Sequence, residues 1–129
     1  MAVLTITKDN FKTEVVESDK PVLLDFWASW CAPCMMQSPI VDELAEEHHE
    51  LKVGKVNVDE QPQLAAAFGV ESIPTLVIIK DGITKEVLVG LHRKEQILEQ
   101  FNRRIDKTAP AVTDRGGLFY PVLWVPKRI

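Results

Sequence analysis

The sequence predicts an α/β domain, with one mixed sheet of five strands between two layers of helix, in the order β-α-β-α-β-α-β-β-α. Three observations lead there. The chain has 129 residues, about one domain's worth, and a chain of that size can bury its own core. Its apolar segments alternate between short β-branched runs and stretches of helical spacing, as strands joined through helices do. Near the carboxyl end the alternation gives way to two strands flanking Asp81-Gly82, a strong hairpin signal. Strands joined through helices are expected to run parallel with right-handed crossovers, and the last hairpin antiparallel.

The elements follow in order along the chain. Val3 to Ile6 reads as a short strand, and Thr7 as the N-cap of a helix over about 8–17 with Phe11, Val15 and Val16 on one face. Pro21 opens an apolar run, Val22-Leu23-Leu24-Asp25-Phe26-Trp27-Ala28, suited to a strand buried on both faces. A helix is expected from the cysteines to about His49, with Ile40, Val41, Leu44 and Ala45 as its apolar stripe and a kink at Pro39. Leu51 to Val58 forms the next strand, anchored by Val53, Val56 and Val58. Residues 62–68 make a short helix stopped by Gly69. Thr75–Lys80 and Ile83–Val89 are the hairpin strands, and a last helix over 93–105 carries Ile97, Leu98, Phe101 and Ile105. No internal repeat is present.

Composition excludes several classes. Apolar residues make up 46% and charged residues 26% of the chain, a globular balance rather than a disordered one. The net charge of −4 gives no electrostatic footprint for nucleic acid or an anionic membrane. No apolar run approaches the ~20 residues that span a bilayer. The amino-terminal segment shows no basic region or long apolar stretch of a secretory signal, so a cytoplasmic location is expected.

Cys31 and Cys34 are the only cysteines, in C-x-x-C spacing. A structural disulfide is a weak reading. Closing so short a loop removes only about 2 kcal/mol of chain entropy, and a reducing cytoplasm would not maintain it. Zinc needs four ligands, and His48, His49 and His92 offer the wrong spacing. Redox chemistry fits better than either. His48 and His49 read as a solvated helix end favoured by the helix dipole.

Trp30-Cys31-Ala32-Pro33-Cys34, following Asp25-Phe26-Trp27-Ala28 at the end of a buried strand, resembles the active site of the thioredoxin family. The resemblance runs from about residue 2 to residue 105. It also takes in Pro39, Lys55, Asp59, Ile73-Pro74-Thr75 and Val89-Gly90. It implies a thioredoxin fold and a protein-disulfide reductase that works by dithiol–disulfide exchange. It also implies no bound cofactor or metal, a flavin-dependent thioredoxin reductase as electron donor, and disulfide-containing proteins as substrates.

The residue types suit that chemistry. Cys31 stands where a helix begins, so free backbone N–H groups and the helix dipole favour its thiolate, which makes it the expected nucleophile. Cys34, one turn inward and shielded, is the expected resolving thiol, and Pro33 limits the freedom of the bridge between them. Asp25 interrupts an apolar strand. Desolvation is expected to raise its pKa toward neutrality, so that it takes the proton from Cys34. Taken alone, Lys55 reads as a solvated strand-edge charge. The resemblance makes it the lysine beside Asp25, gives Ile73-Pro74 a cis bond facing the cysteines, and places Trp30 partly exposed at the site's edge. Ala32, Pro33, Ile73, Pro74, Val89 and Gly90 then form a flat apolar patch where an extended partner segment pairs with the loop. Gly90 is expected there to permit close backbone approach.

The sequence departs from the family in three places. Ala32 replaces the usual glycine, Met35 and Met36 stand where a basic residue often follows the motif, and the chain continues past the domain. Residues 1–106 are read as the domain and 107–129 as an atypical extension. The apolar residues Phe119, Tyr120 and Trp124 of that extension suit packing against a surface better than water, the patch around Ile73 and Pro74 being one candidate. Two rivals to the reductase reading are a thiol oxidant or isomerase, disfavoured by Asp25 and by the lack of histidine between the cysteines, and a non-catalytic binding module.

Overall fold

The computed structural model describes residues 3–105; the 107–129 extension lies outside the described residues. The strands are β1 (Val3–Thr5), β2 (Val22–Trp27), β3 (Lys52–Asn57), β4 (Thr75–Lys80) and β5 (Ile83–Val89). The helices are α1 (Ala32–Glu47), α2 (Pro62–Ala67) and α3 (Lys94–Ile105), with a π-helical turn at Lys12–Val16. The five strands form one mixed sheet in the order β1-β3-β2-β4-β5.

The expected first helix over 8–17 shrinks to the π-helical turn. The Asn10 side chain is the reason. Its Oδ1 accepts from the Thr7 N–H at 2.7 Å and its Nδ2 donates to Thr5 O at 2.9 Å, which ties residues 8–10 into a turn. Thr7 Oγ1 accepts from the Asp9 N–H, capping that turn rather than a helix. The wide turn then closes with the Glu17 N–H on Lys12 O at 2.9 Å, an i→i+5 bond.

β1 and β2 each run parallel to β3, and β5 is antiparallel to β4. The hairpin turns on Asp81 and Gly82, both at positive φ (57° and 76°), as a two-residue hairpin loop of this kind requires. One expectation fails. β4 runs antiparallel to β2 and therefore opposite to β3, although α2 joins β3 to β4. The connection through α2 returns to the end of the sheet where β3 finishes, and β4 starts back from there, with Thr75 paired to Phe26 near the end of β2. The carboxyl ends of β2, β3 and β5, the start of β4 and the start of α1 thus share one edge.

The period of two along β2 divides the core. Val22, Leu24 and Phe26 join Val56, Val77 and Ile79 on one face, packed with Val15, Leu64 and Ala65. Leu23 joins Val53, Leu76 and Ile78 on the other, packed with Val41, Leu44, Ile97 and Phe101 of α1 and α3. Asp25 has the parity of Leu23 and so faces the second layer.

Candidate active site

β2 ends at Trp27, and a short turn delivers Cys31 to the head of α1 as its N-cap. Cys31 is extended (φ −99°, ψ 109°), and its Sγ accepts from the Cys34 N–H at 3.2 Å. A sulfur thus does the work usually given to a serine or aspartate oxygen at this position. Ala32 and Pro33 fill the first helical turn, where the missing N–H of proline has no partner to lose. Two side chains three apart, one capping and one inside the first turn, bring the Cα atoms to 5.2 Å, and the cysteines are joined in a disulfide. The expected contrast in exposure is small in this oxidised state, with Cys31 5% exposed and Cys34 0%. The two pack with Ala28, Trp27, Val58 and Ile73.

The Ile73–Pro74 bond is cis, and Ile73 O lies 3.8 Å from Cys31 Sγ. The Gly90 N–H donates to Pro74 O at 2.8 Å, carrying the β4–β5 pairing one step past Thr75 and Val89. Inside the chain Gly90 is needed for its φ of +94°, and a Cβ built there would meet nothing within 4 Å. Among the described residues nothing occupies that space, which leaves it open to the partner backbone expected from the sequence. Ala32, Pro33 and Val89 are exposed and Ile73 is half-buried, whereas Pro74 is buried. Pro74 has no N–H to offer this edge, and its carbonyl is already taken by Gly90. Trp30 is 69% exposed, and its Nε1–H donates to Asp59 Oδ2 at 2.9 Å, which fixes the indole beside the cysteines.

Beneath α1, Asp25 is 1% exposed, and neither of its carboxyl oxygens has a hydrogen-bond partner among the described residues. Burial pushes its pKa from 3.8 up to about 7 against the pull of Lys55, and the Asp42 charge adds to the rise. Lys55 pairs with Asp25 in strand register, but its ammonium bonds to other groups. It forms an ion pair with Asp42 Oδ1 at 2.9 Å and donates to Ser38 Oγ. The carboxylate and the lysine expected beside it are therefore neighbours in charge and not in hydrogen bonding. Three contributors escaped the sequence reading: Ser38, Asp42 and Gln37. Gln37 carried the clearest signal, since it heads the stripe Gln37, Val41, Leu44 as a polar group at a buried position.

A thioredoxin family model matches residues 2–103. The thioredoxin of Rickettsia felis is 46% identical over 101 residues, covering 78% of this chain and 96% of the relative. Thioredoxin 1 of a Nostoc species is 45% identical over 105 residues, covering 81% and 98%. The thioredoxin of Pyropia yezoensis is 45% identical over 106 residues, covering 81% and 99%. This chain belongs to the thioredoxin family. With the Cys31–Cys34 pair in place, it is a thiol–disulfide oxidoreductase of the thioredoxin type. Family membership brings disulfide-bearing substrates and a reductase in general terms. Among the described residues, no three His, Cys, Asp or Glu side chains form a cluster able to hold a metal, and no helix is long and apolar enough to cross a membrane.

Proposed function

We propose that the protein reduces disulfides of other proteins, with Cys31 as nucleophile and Cys34 as resolving thiol. The observation that carries this is the Cys34 N–H aimed at Cys31 Sγ from the head of a 16-residue helix. In the dithiol state that donor and the helix dipole hold a negative sulfur. The Cys31 thiolate attacks one sulfur of the partner's disulfide, forming a mixed disulfide and expelling the partner's first thiolate. Asp25 then takes the proton of Cys34, and its pKa of about 7 suits a base working near neutrality. The Cys34 thiolate attacks Cys31 Sγ, the second partner thiol leaves, and the Cys31–Cys34 disulfide remains. Two electrons from a flavin-dependent thioredoxin reductase restore the dithiol.

Lys55 acts in this scheme as a nearby positive charge that tempers the rise of the Asp25 pKa. Trp30, Ala32, Pro33, Ile73, Val89 and Gly90, with Pro74 shaping the loop behind Ile73, form the docking edge for an extended partner segment. No cofactor is bound in the scheme, and nucleic acid and membranes play no part in it. The cytoplasm suits the direction of the reaction, since thiols are kept reduced there. Residues 1–106 are proposed to form the catalytic domain and 107–129 an added segment. The test is reduction of insulin by NADPH through a flavin-dependent thioredoxin reductase. The protein is expected to support turnover, and a protein that neither accepts electrons nor precipitates insulin chains would be a binding module instead.

A further inference from the structure

Gln37 is fully buried one turn below Cys34, at a helix position whose neighbours Val41 and Leu44 are core. Its amide is spent entirely on one residue of another segment. Nε2 donates to His92 O at 3.0 Å, and Oε1 accepts from the His92 N–H at 2.9 Å. His92 lies in the loop between β5 and α3, and its ring Nδ1 is 2.9 Å from Gly90 O. Gly90 in turn donates its N–H to Pro74 O at 2.8 Å, and Ile73 O sits 3.8 Å from Cys31 Sγ. The contacts close a ring: α1, the Gly90–His92 loop, the Ile73–Pro74 loop, and back to the cysteine that caps α1.

We propose that Gln37 is a positioning residue, which fixes the docking loop around Gly90 in register with the cysteines. The proposal rests on the reductase reading given above and adds a part to it. A two-point amide clamp suits the task, because a buried side chain with both donor and acceptor satisfied has one geometry. An apolar residue there would pack as well and hold nothing. The Gly90 N–H on Pro74 O holds the loop to β4, and Lys94 beyond it pairs with Glu43 and Glu47 on the surface of α1. Among the described residues, however, Gln37 is the loop's buried hydrogen-bonded tie to α1. A substrate segment that binds by backbone pairing needs its template in place beforehand, since any ordering of the loop on binding weakens affinity. A small disulfide that meets only the sulfur needs no such template.

The test is Gln37→Met, near in volume and unable to pair with His92. The pre-reduced full chain is mixed in stopped flow with a disulfide-bonded peptide of extended apolar sequence, and separately with the small aromatic disulfide DTNB. The expected result is a roughly tenfold rise in half-saturating peptide concentration, which corresponds to a freed loop that holds its docking geometry about a tenth of the time. The limiting rate and the DTNB rate are expected to change little. An unchanged half-saturation, or an equal fall for both substrates, overturns the proposal. Gln37→Asn, which keeps the amide on an arm one methylene shorter, serves if Gln37→Met does not fold. In the unaltered protein the His92 amide is expected to exchange slowly with solvent, and exchange at unstructured rates would show that no clamp exists. A wild-type protein inert toward both disulfides would sink the reductase reading itself, a distinct outcome.

Discussion

Leu24 and Asp25 are consecutive in β2 and face opposite sides of one sheet, and the two sides differ in kind. The Leu24 side is apolar apart from Thr75, whose hydroxyl donates to Ser72 O. It is closed by the π-helical turn and α2, with Phe68 tilted against Phe26 at 5.4 Å between ring centroids. The Asp25 side carries the buried polar groups Asp25 and Gln37 and the half-buried Lys55, beneath the helix that Cys31 caps. An apolar layer tolerates any side chain of the right volume, whereas a polar one must match each group to a partner or alter its protonation. The difference teaches that this fold keeps its buried carboxyl and amide on one side of the sheet and closes the other almost wholly with apolar side chains.

The largest expected effects test the chemical layer. Cys31→Ser is expected to lower insulin reduction to background. Cys34→Ser is expected to stop after the first step and accumulate mixed disulfides with substrate, seen by mass spectrometry as a mass gain that dithiothreitol reverses. Trapping by Cys31→Ser in place of Cys34→Ser would reverse the two roles.

Asp25→Asn separates kinetics from stability at a single residue. Disulfide reduction near pH 7 is expected to slow by about tenfold, less than the ~10²–10⁴ of many general bases, because solvent can accept the proton slowly. Stability should move the other way, and the sign follows from the pKa. An aspartate raised from 3.8 to about 7 on folding binds more protons folded than unfolded between those values. Its contribution to stability therefore falls as pH rises from about 4 to 7 and is flat above. The variant escapes that loss, so its advantage grows through the same window to at most roughly 4 kcal/mol. Denaturant titrations at pH 4 and pH 8 check this, and an advantage that is constant with pH would refute the burial account.

On the opposite face, Leu24→Ala is expected to cost ~2–5 kcal/mol by leaving a cavity in a closely packed layer. The rate of disulfide reduction per folded molecule should stay as it was. A proportional loss of rate at full folding would show that the two layers are coupled and break the contrast.

The same contrast explains what was legible in the sequence. Local signals were legible: the cysteine spacing, the interruption of β2 by Asp25, and the Asp81-Gly82 hairpin are each contained within a few consecutive residues. The bounds of β4 and β5 were legible for the same reason. Features set by distant segments were not. The ammonium of Lys55 meets Ser38 and Asp42, 17 and 13 positions earlier in the chain, and Gln37 meets His92 across 55. The antiparallel return of β4 is set by its pairing with β2, some fifty positions earlier. The shortening of the first helix, in contrast, is a local effect of Asn10 competing for the backbone of Thr5 and Thr7, a side-chain choice that apolar spacing does not register.

The smallest expected effect concerns truncation after Lys107. Both apolar layers, the sheet and every residue of the proposed mechanism lie within residues 3–105. Removing the rest should therefore change neither the cooperativity of unfolding nor the rate of insulin reduction. The experiment discriminates between the layers. A fall in melting temperature without loss of rate would mean that the segment adds to the apolar packing of the domain. A rise in rate without change in stability would place it over the docking edge at Trp30, Val89 and Gly90, where an apolar segment competes with substrate. Either result would assign residues 108–129 to one side of the sheet's division of labour, and no change at all would assign them to neither.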